Sequence, residues 1–167
     1  MKVALVAVLV AFCLFAQKLD LKFDALAAKA SKKVEVDLDT RLLHLAARLS
    51  GDPELNNLLS GVKAVHVRSY EFLKSGEAYS QKDLDSLRNQ VTAQPRWSQI
   101  LSTKEDDESV EIYIAAEADK VSGCLIVSAE ADQLSIIYLE GAMTLAQMKR
   151  LIDEDTRHDL AALLENH

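Results

Sequence analysis

Glycine, proline and cysteine are scarce in this chain of 167 residues, which holds 5, 2 and 2 of them. So few glycines leave no Gly-rich phosphate loop, and no G-x-S-x-G nucleophile elbow is present. The same scarcity excludes a collagen-like chain and argues against disorder. Positive charge is also short. Lys and Arg number 19 against 26 Asp and Glu, a net charge of −7. An acidic chain gains nothing from counterion release on a phosphate backbone, so no nucleic acid is expected as a partner. Attraction to an anionic membrane surface is not expected either, on the same ground. No apolar run reaches the ~20 residues that span a bilayer comfortably.

What is present begins at the N-terminus, "MKVALVAVLVAFCLFAQ". Lys2 precedes an unbroken apolar run from Val3 to Ala16, which stops abruptly at Lys18 and Asp20. That is the pattern of a secretory signal. Residues 1–16 are expected to be a signal peptide cut between Ala16 and Gln17. An uncleaved anchor or a buried first helix is the alternative. The exported chain, periplasmic or extracellular, would then be one domain over 17–167, of 167 − 16 = 151 residues and charge −7 − 1 = −8. It would not be an integral membrane protein. Lipidation at Cys13 is not expected, because Phe12 stands where a small residue is needed. Cys13 leaves with the signal, so Cys124 has no partner within the chain and no disulfide framework exists.

Along the mature chain, "FDALAAKASKK" reads as a short first helix, and "KVEVDLD" as a strand alternating at Val34, Val36 and Leu38. In "DTRLLHLAARLS" the period changes to that of a helix, capped by Asp39 or Thr40. Leu38, Leu42, Leu45, Ala46 and Leu49 form its expected inner stripe. Asp52 and Pro53 open another short helix that ends near Gly61. "VKAVHVRSYEFL" is a strand, with Val65 and Val67 on one side and Ala64, His66, Arg68 and Tyr70 on the other. Ser80 and Asp83 begin a helix whose stripe is Leu84, Leu87 and Val91. Trp97, Ile100 and Leu101 make an apolar patch on a further helical turn. Three alternating segments, "SVEIYIAAEAD", "KVSGCLIVSAE" and "QLSIIYLEG", are joined by short polar breaks and read as an antiparallel meander. Thr144 and Gln147 open a helix with Leu145, Met148, Leu151 and Ile152 inward. Residues 151–167 hold a last apolar stretch, "LAALLE", a loosely packed C-terminal helix or a frayed tail.

This order gives an α+β fold. It is a two-layer sandwich, a mostly antiparallel sheet of 4–5 strands with helices mainly on one face. The other face is expected to carry Glu111, Tyr113, Ser122, Cys124, Ile126, Ser128, Ile137 and Leu139. It is covered by a terminal helix or by a partner.

"GVKAVHVRSYEF", followed by "WSQILSTKEDDESVEIYIAAEADKVSGCLIVSAEADQLSIIYLEGAMTLAQMKRL", resembles the bacterial family called domain of unknown function 4252 over roughly residues 30–155. The shared pattern is a strand opened by a Gly-Val-Lys-like step, a Trp, an acidic turn, three strands with a Gly after the last, and a helix. The resemblance implies a small exported bacterial protein. Some members look like lipoproteins, from which this chain departs at Phe12. Members are often encoded near extracytoplasmic sigma-factor genes, which implies envelope stress or signalling. It offers no catalytic residues to carry over.

The residues themselves offer little chemistry. A nucleophilic Cys needs a base, a cation or a helix N-terminus nearby. Cys124 sits in mid-strand in "VSGCLIVS" with none, and reads as a small core filler. Its neighbour Gly123 marks a bulge or a close approach. A disulfide between copies is the alternative. His44, His66, His158 and His167 match no zinc spacing. Glu154 and His158 are four apart, which a polar last turn also produces. In "KEDDES", Lys104 to Ser109, the acids are consecutive with no Gly, unlike a calcium loop.

No catalytic, cofactor-binding or metal-ligating residue is therefore assigned, no cofactor is expected, and the balance is against an enzyme. The expected function is a non-catalytic binding or signalling-associated module of the envelope, with an unidentified protein or small-ligand partner. The alternatives are a cysteine-dependent enzyme using Cys124 with His66 or a helix-borne carboxylate, and a purely structural envelope protein.

Overall fold

Period-two alternation builds the sheet, and polar caps start the helices that cover it. A computed structural model describes Leu19 and residues 21–73, 79–117 and 120–152. The expected signal of residues 1–16 and its cut after Ala16, Cys13, the Glu154 and His158 pair, His167 and the tail from residue 153 lie outside these described residues.

The elements are α1 (Asp24–Lys29), β1 (Lys32–Asp39), α2 (Thr40–Ser50), α3 (Pro53–Leu59), β2 (Val62–Glu71), α4 (Gln81–Thr92), β3 (Trp97–Glu105), β4 (Glu108–Glu117), β5 (Lys120–Ala129), β6 (Gln133–Met143) and α5 (Leu145–Ile152). The caps lie where short polar side chains precede apolar stripes. Asp39 accepts from the backbone N–H groups of Arg41 and Leu42. Asp52 accepts from Glu54 N–H, with Pro53 at the first turn. Ser80 and Asp83 form a capping box, as do Thr144 and Gln147.

All strands pair antiparallel in the order β1-β2-β6-β5-β4-β3. The fold is α+β, but the sheet has six strands instead of 4–5. The additional strand is β3, where a helical turn was expected at Trp97, Ile100 and Leu101. Its local alternation is weak, yet its backbone groups are satisfied by β4, from Trp97 opposite Ala115 to Glu105 opposite Glu108. A register shift skips Ile100.

Helices lie on both faces, not mainly on one. Leu26 of α1 and Leu84, Leu87 and Val91 of α4 join a buried cluster with Tyr70, Tyr113, Leu125 and Tyr138. On the opposite face, Leu43 and Ala47 of α2, Leu55, Leu58 and Leu59 of α3 and Met148 of α5 pack with Val65, Ile112, Cys124 and Leu139. The cause is that β5 and β6 are apolar on both sides, with Cys124, Leu125, Ile126 and Val127 consecutively buried. A strand of that kind must be covered twice.

Two further expectations change. Tyr113 pairs with Leu125 and Ile114 with Cys124, so Glu111 and Tyr113 share the face of Leu125 rather than that of Cys124. Alternation gives the two faces of a strand, but register across strands decides which face meets which. In α2 the buried residues are Leu43 and Ala47. Leu42, Leu45 and Leu49 remain 48%, 53% and 73% exposed. Both sides of this helix are apolar, and contact with the sheet selected the smaller stripe.

Candidate functional site

Cys124 and His66 are separated by the sheet itself. His66 stands opposite Tyr138, while Cys124 stands opposite Leu139, the next residue of β6. Adjacent residues of a strand point to opposite faces. Cys124 is 0% exposed within the cluster of Leu43, Ile126 and Met143. Burial pushes its thiol up to about 12, against the lowered value that a nucleophile needs. The cysteine-enzyme reading is overturned by this placement. Cys124 fills a core, and its buried thiol cannot meet a second copy without unfolding.

The face that carries His66 holds the polar constellation. In β1 and β2, Asp37 pairs directly with His66. His66 Nδ1 and Asp37 Oδ1 are 2.5 Å apart. An ionised carboxylate only accepts, so Nδ1 carries the proton and donates. Arg68, two residues on and on the same face, donates from Nη2 to both oxygens of Asp37, at 2.9 and 3.0 Å. Its Nη1 donates to the backbone carbonyls of Val67 and Val36, at 2.9 and 3.2 Å. The hydrogen bond from His66, followed by those from Arg68, holds the Asp37 carboxyl below the ordinary aspartate range.

The other ring nitrogen is different. His66 Nε2 is buried and has no hydrogen-bond partner among the described residues. The imidazole stacks on Tyr138, with ring centroids 5.6 Å apart and planes 14° apart. Trp97 packs against the same tyrosine at 5.8 Å. Desolvation pushes the Tyr138 phenol above its ordinary value, opposed by a hydrogen bond from the backbone of Leu19. A groove of about 400 Å³ opens here, lined by Leu19, Leu21, Phe23, Ile136, Tyr138 and the Asp37, His66 and Arg68 set. Among the described residues no serine, threonine or cysteine lines it.

A second polar cluster lies under α4. Glu111 is 5% exposed. It receives two bonds from Arg88 Nε, at 2.8 and 3.0 Å, another from Arg88 Nη2, and one from Tyr113 Oη at 2.6 Å. Burial pushes the Glu111 carboxyl up, but the bonds from Arg88 and Tyr113 outweigh it and hold the group below the ordinary glutamate range. The arrangement is closed, every strong donor being used, and it anchors α4 to the sheet. Residues 104–109 form the β3–β4 hairpin, exposed through Glu108, and edge a polar hollow of about 290 Å³ beside it. His44 is exposed on α2. Among the described residues no group of three or more His, Cys, Asp or Glu side chains could hold a metal, and no helix is long and apolar enough to cross a membrane.

Periodicity alone does not reveal the groove. Placing His66 and Arg68 on one strand face was possible from "VHVRSY". Joining them to Asp37 needs the β1–β2 register, for which opposite charges on two alternating strands are the one available signal.

A family model described as Domain of unknown function (DUF4252) matches residues 28–151. No curated protein matches the chain, and no solved structure does.

Proposed function

The chain belongs to the DUF4252 family, and on that premise we propose that it is an exported bacterial envelope protein, a non-catalytic module that binds a small ligand in the groove beside His66. Export is supported by Lys2 and the apolar run from Val3 to Ala16. Binding is supported above all by one observation, the buried Nε2 of His66, which has no partner among the described residues and stands at the wall of a groove.

A desolvated polar atom left without a partner costs about 1–3 kcal/mol. Such an atom is tolerated where it serves something other than stability. With Nδ1 committed to Asp37, Nε2 is the ring atom of His66 left to meet a ligand. Leu19, Leu21, Phe23 and Ile136 supply apolar walls. The fitting ligand has a small apolar body and one polar hydrogen-bonding group, such as a hydroxyl, to meet Nε2.

The test is a nuclear magnetic resonance titration of residues 17–167 with a library of small apolar rings, each bearing one hydroxyl or N–H group. The reading expects shifts centred on the His66 ring nitrogens and the Tyr138 and Ile136 amides. Binding confined to another surface, or no shift at millimolar concentration, contradicts it.

A further inference from the structure

Helix α2 shows solvent a face that its composition does not suit. Leu42, Leu45 and Leu49 lie at i, i+3 and i+7, one stripe of a helix, and are 48%, 53% and 73% exposed. Arg41, His44 and Arg48 flank them, all exposed. The helix, "TRLLHLAARLS", has no acidic residue, in a chain of net charge −7. An apolar stripe edged by two arginines, Arg48 and an Arg41 that also pairs with Asp39 at 3.0 Å, fits an occupant that is apolar on one side and acidic at its margins.

The chain supplies such a segment. Residues 153–167 read "DEDTRHDLAALLENH", with five acids against one arginine, and with Leu160, Leu163 and Leu164 at helical spacing. Their attachment point lies on the same side of the sheet as α2. Met148 of α5 packs in the cluster that holds Leu43 and Ala47. Gln147 Nε2 of α5 donates to Asn57 O of α3 at 2.9 Å, and Arg150 lies 3.8 Å from Glu54 of α3. Helix α3 follows α2 directly through Gly51 and Asp52. From α5 across α3 to α2 is two helix spacings, roughly 20 Å at 8–10 Å each. The seven residues between Ile152 and Leu160 reach about 23 Å when extended. We propose that Leu160, Leu163 and Leu164 dock on the Leu42, Leu45 and Leu49 stripe, with the acidic residues of the tail beside Arg41 and Arg48.

The test uses residues 17–167, which keep every described residue, with Ala162→Cys carrying a nitroxide label. Buried Cys124 is protected from the reagent. The methyl signals of Leu42, Leu45 and Leu49 are expected to lose most of their intensity and to regain it when the nitroxide is reduced. In a mixture of labelled chain with isotope-enriched, unlabelled chain the signals should stay intact. Unchanged signals in the first sample overturn the proposal. Loss in the mixed sample overturns it too, by assigning the stripe to a second copy. Leu45→Lys, on the exposed stripe, is expected to abolish the loss while leaving the amide spectrum of β4 to β6 unchanged.

Discussion

The indole of Trp97 lies directly over the backbone of Gly123. A Cβ placed at residue 123 would stand 3.0 Å from Trp97 Cη2 and 3.1 Å from Cζ2. Trp97 begins the edge strand β3, and Gly123 lies two strands inward, so the missing side chain is what lets the indole cross the sheet. The ring thereby reaches Tyr138, which stacks on His66. A glycine in a central strand and the wall of the groove are parts of one arrangement.

Substitution at that glycine should therefore act at a distance. Gly123→Ala is expected to destabilise the fold by about 1–2 kcal/mol, and Gly123→Val by about 3, as overpacking in a dense core does. Both should move the Trp97 fluorescence and perturb the His66 ring signals. Urea melts with unchanged midpoints and an unshifted emission maximum would contradict this packing.

The bonds among Arg88, Glu111 and Tyr113 predict a reversal of pH dependence. In the native protein the Glu111 carboxyl is held below its ordinary value, so its contribution is present above pH ~4.3 and is lost as pH falls through the folded value. Asp37 and Asp83 have the same sign. Arg88→Met leaves a nearly buried carboxylate with Tyr113 alone and should cost about 3–5 kcal/mol at pH 7. Burial, the largest influence on this group, then outweighs the single bond from Tyr113 and raises the Glu111 value. The variant should gain stability between pH 7 and 5, where the native protein does not. Denaturant titrations at several pH values check the opposite slopes.

Cys124 should be silent in the folded state. With the thiol pushed up to about 12 and fully buried, residues 17–167 should resist thiol reagents at pH 8 and react stoichiometrically in denaturant. Cys124→Ala should leave groove binding intact. Fast labelling of the native chain, or a disulfide-linked dimer under oxidising conditions, would refute its place in the core.

These residues also show how far the sequence could be read. Caps at Asp39, Asp52, Ser80 and Thr144 were legible because a cap is a local contest over a few N–H groups. The strands of the meander were legible because alternation is local as well. The partners of Tyr113 were not, since register depends on two strands and on the irregularity between Ala115 and Ala116. Strand β3 was missed because an edge strand can be built by its neighbour's hydrogen bonds with little pattern of its own. The inner face of α2 was missed because leucines lie on both of its sides. For the groove, the residues were visible but the pairing of Asp37 with His66 across 29 positions was not.

In the proposed groove the His66 nitrogen that lacks a partner among the described residues serves binding at the expense of stability. The most direct measurement is the unfolding free energy of His66→Phe in residues 17–167. Phenylalanine keeps a flat ring against Tyr138 and removes both nitrogens, while Arg68 still holds Asp37. The predicted result is stability raised by about 1 kcal/mol, as relief of the orphaned Nε2 exceeds the loss of one partly exposed hydrogen bond. Stability lowered by about 2 kcal/mol or more would make His66 a structural residue and contradict the assignment of the groove.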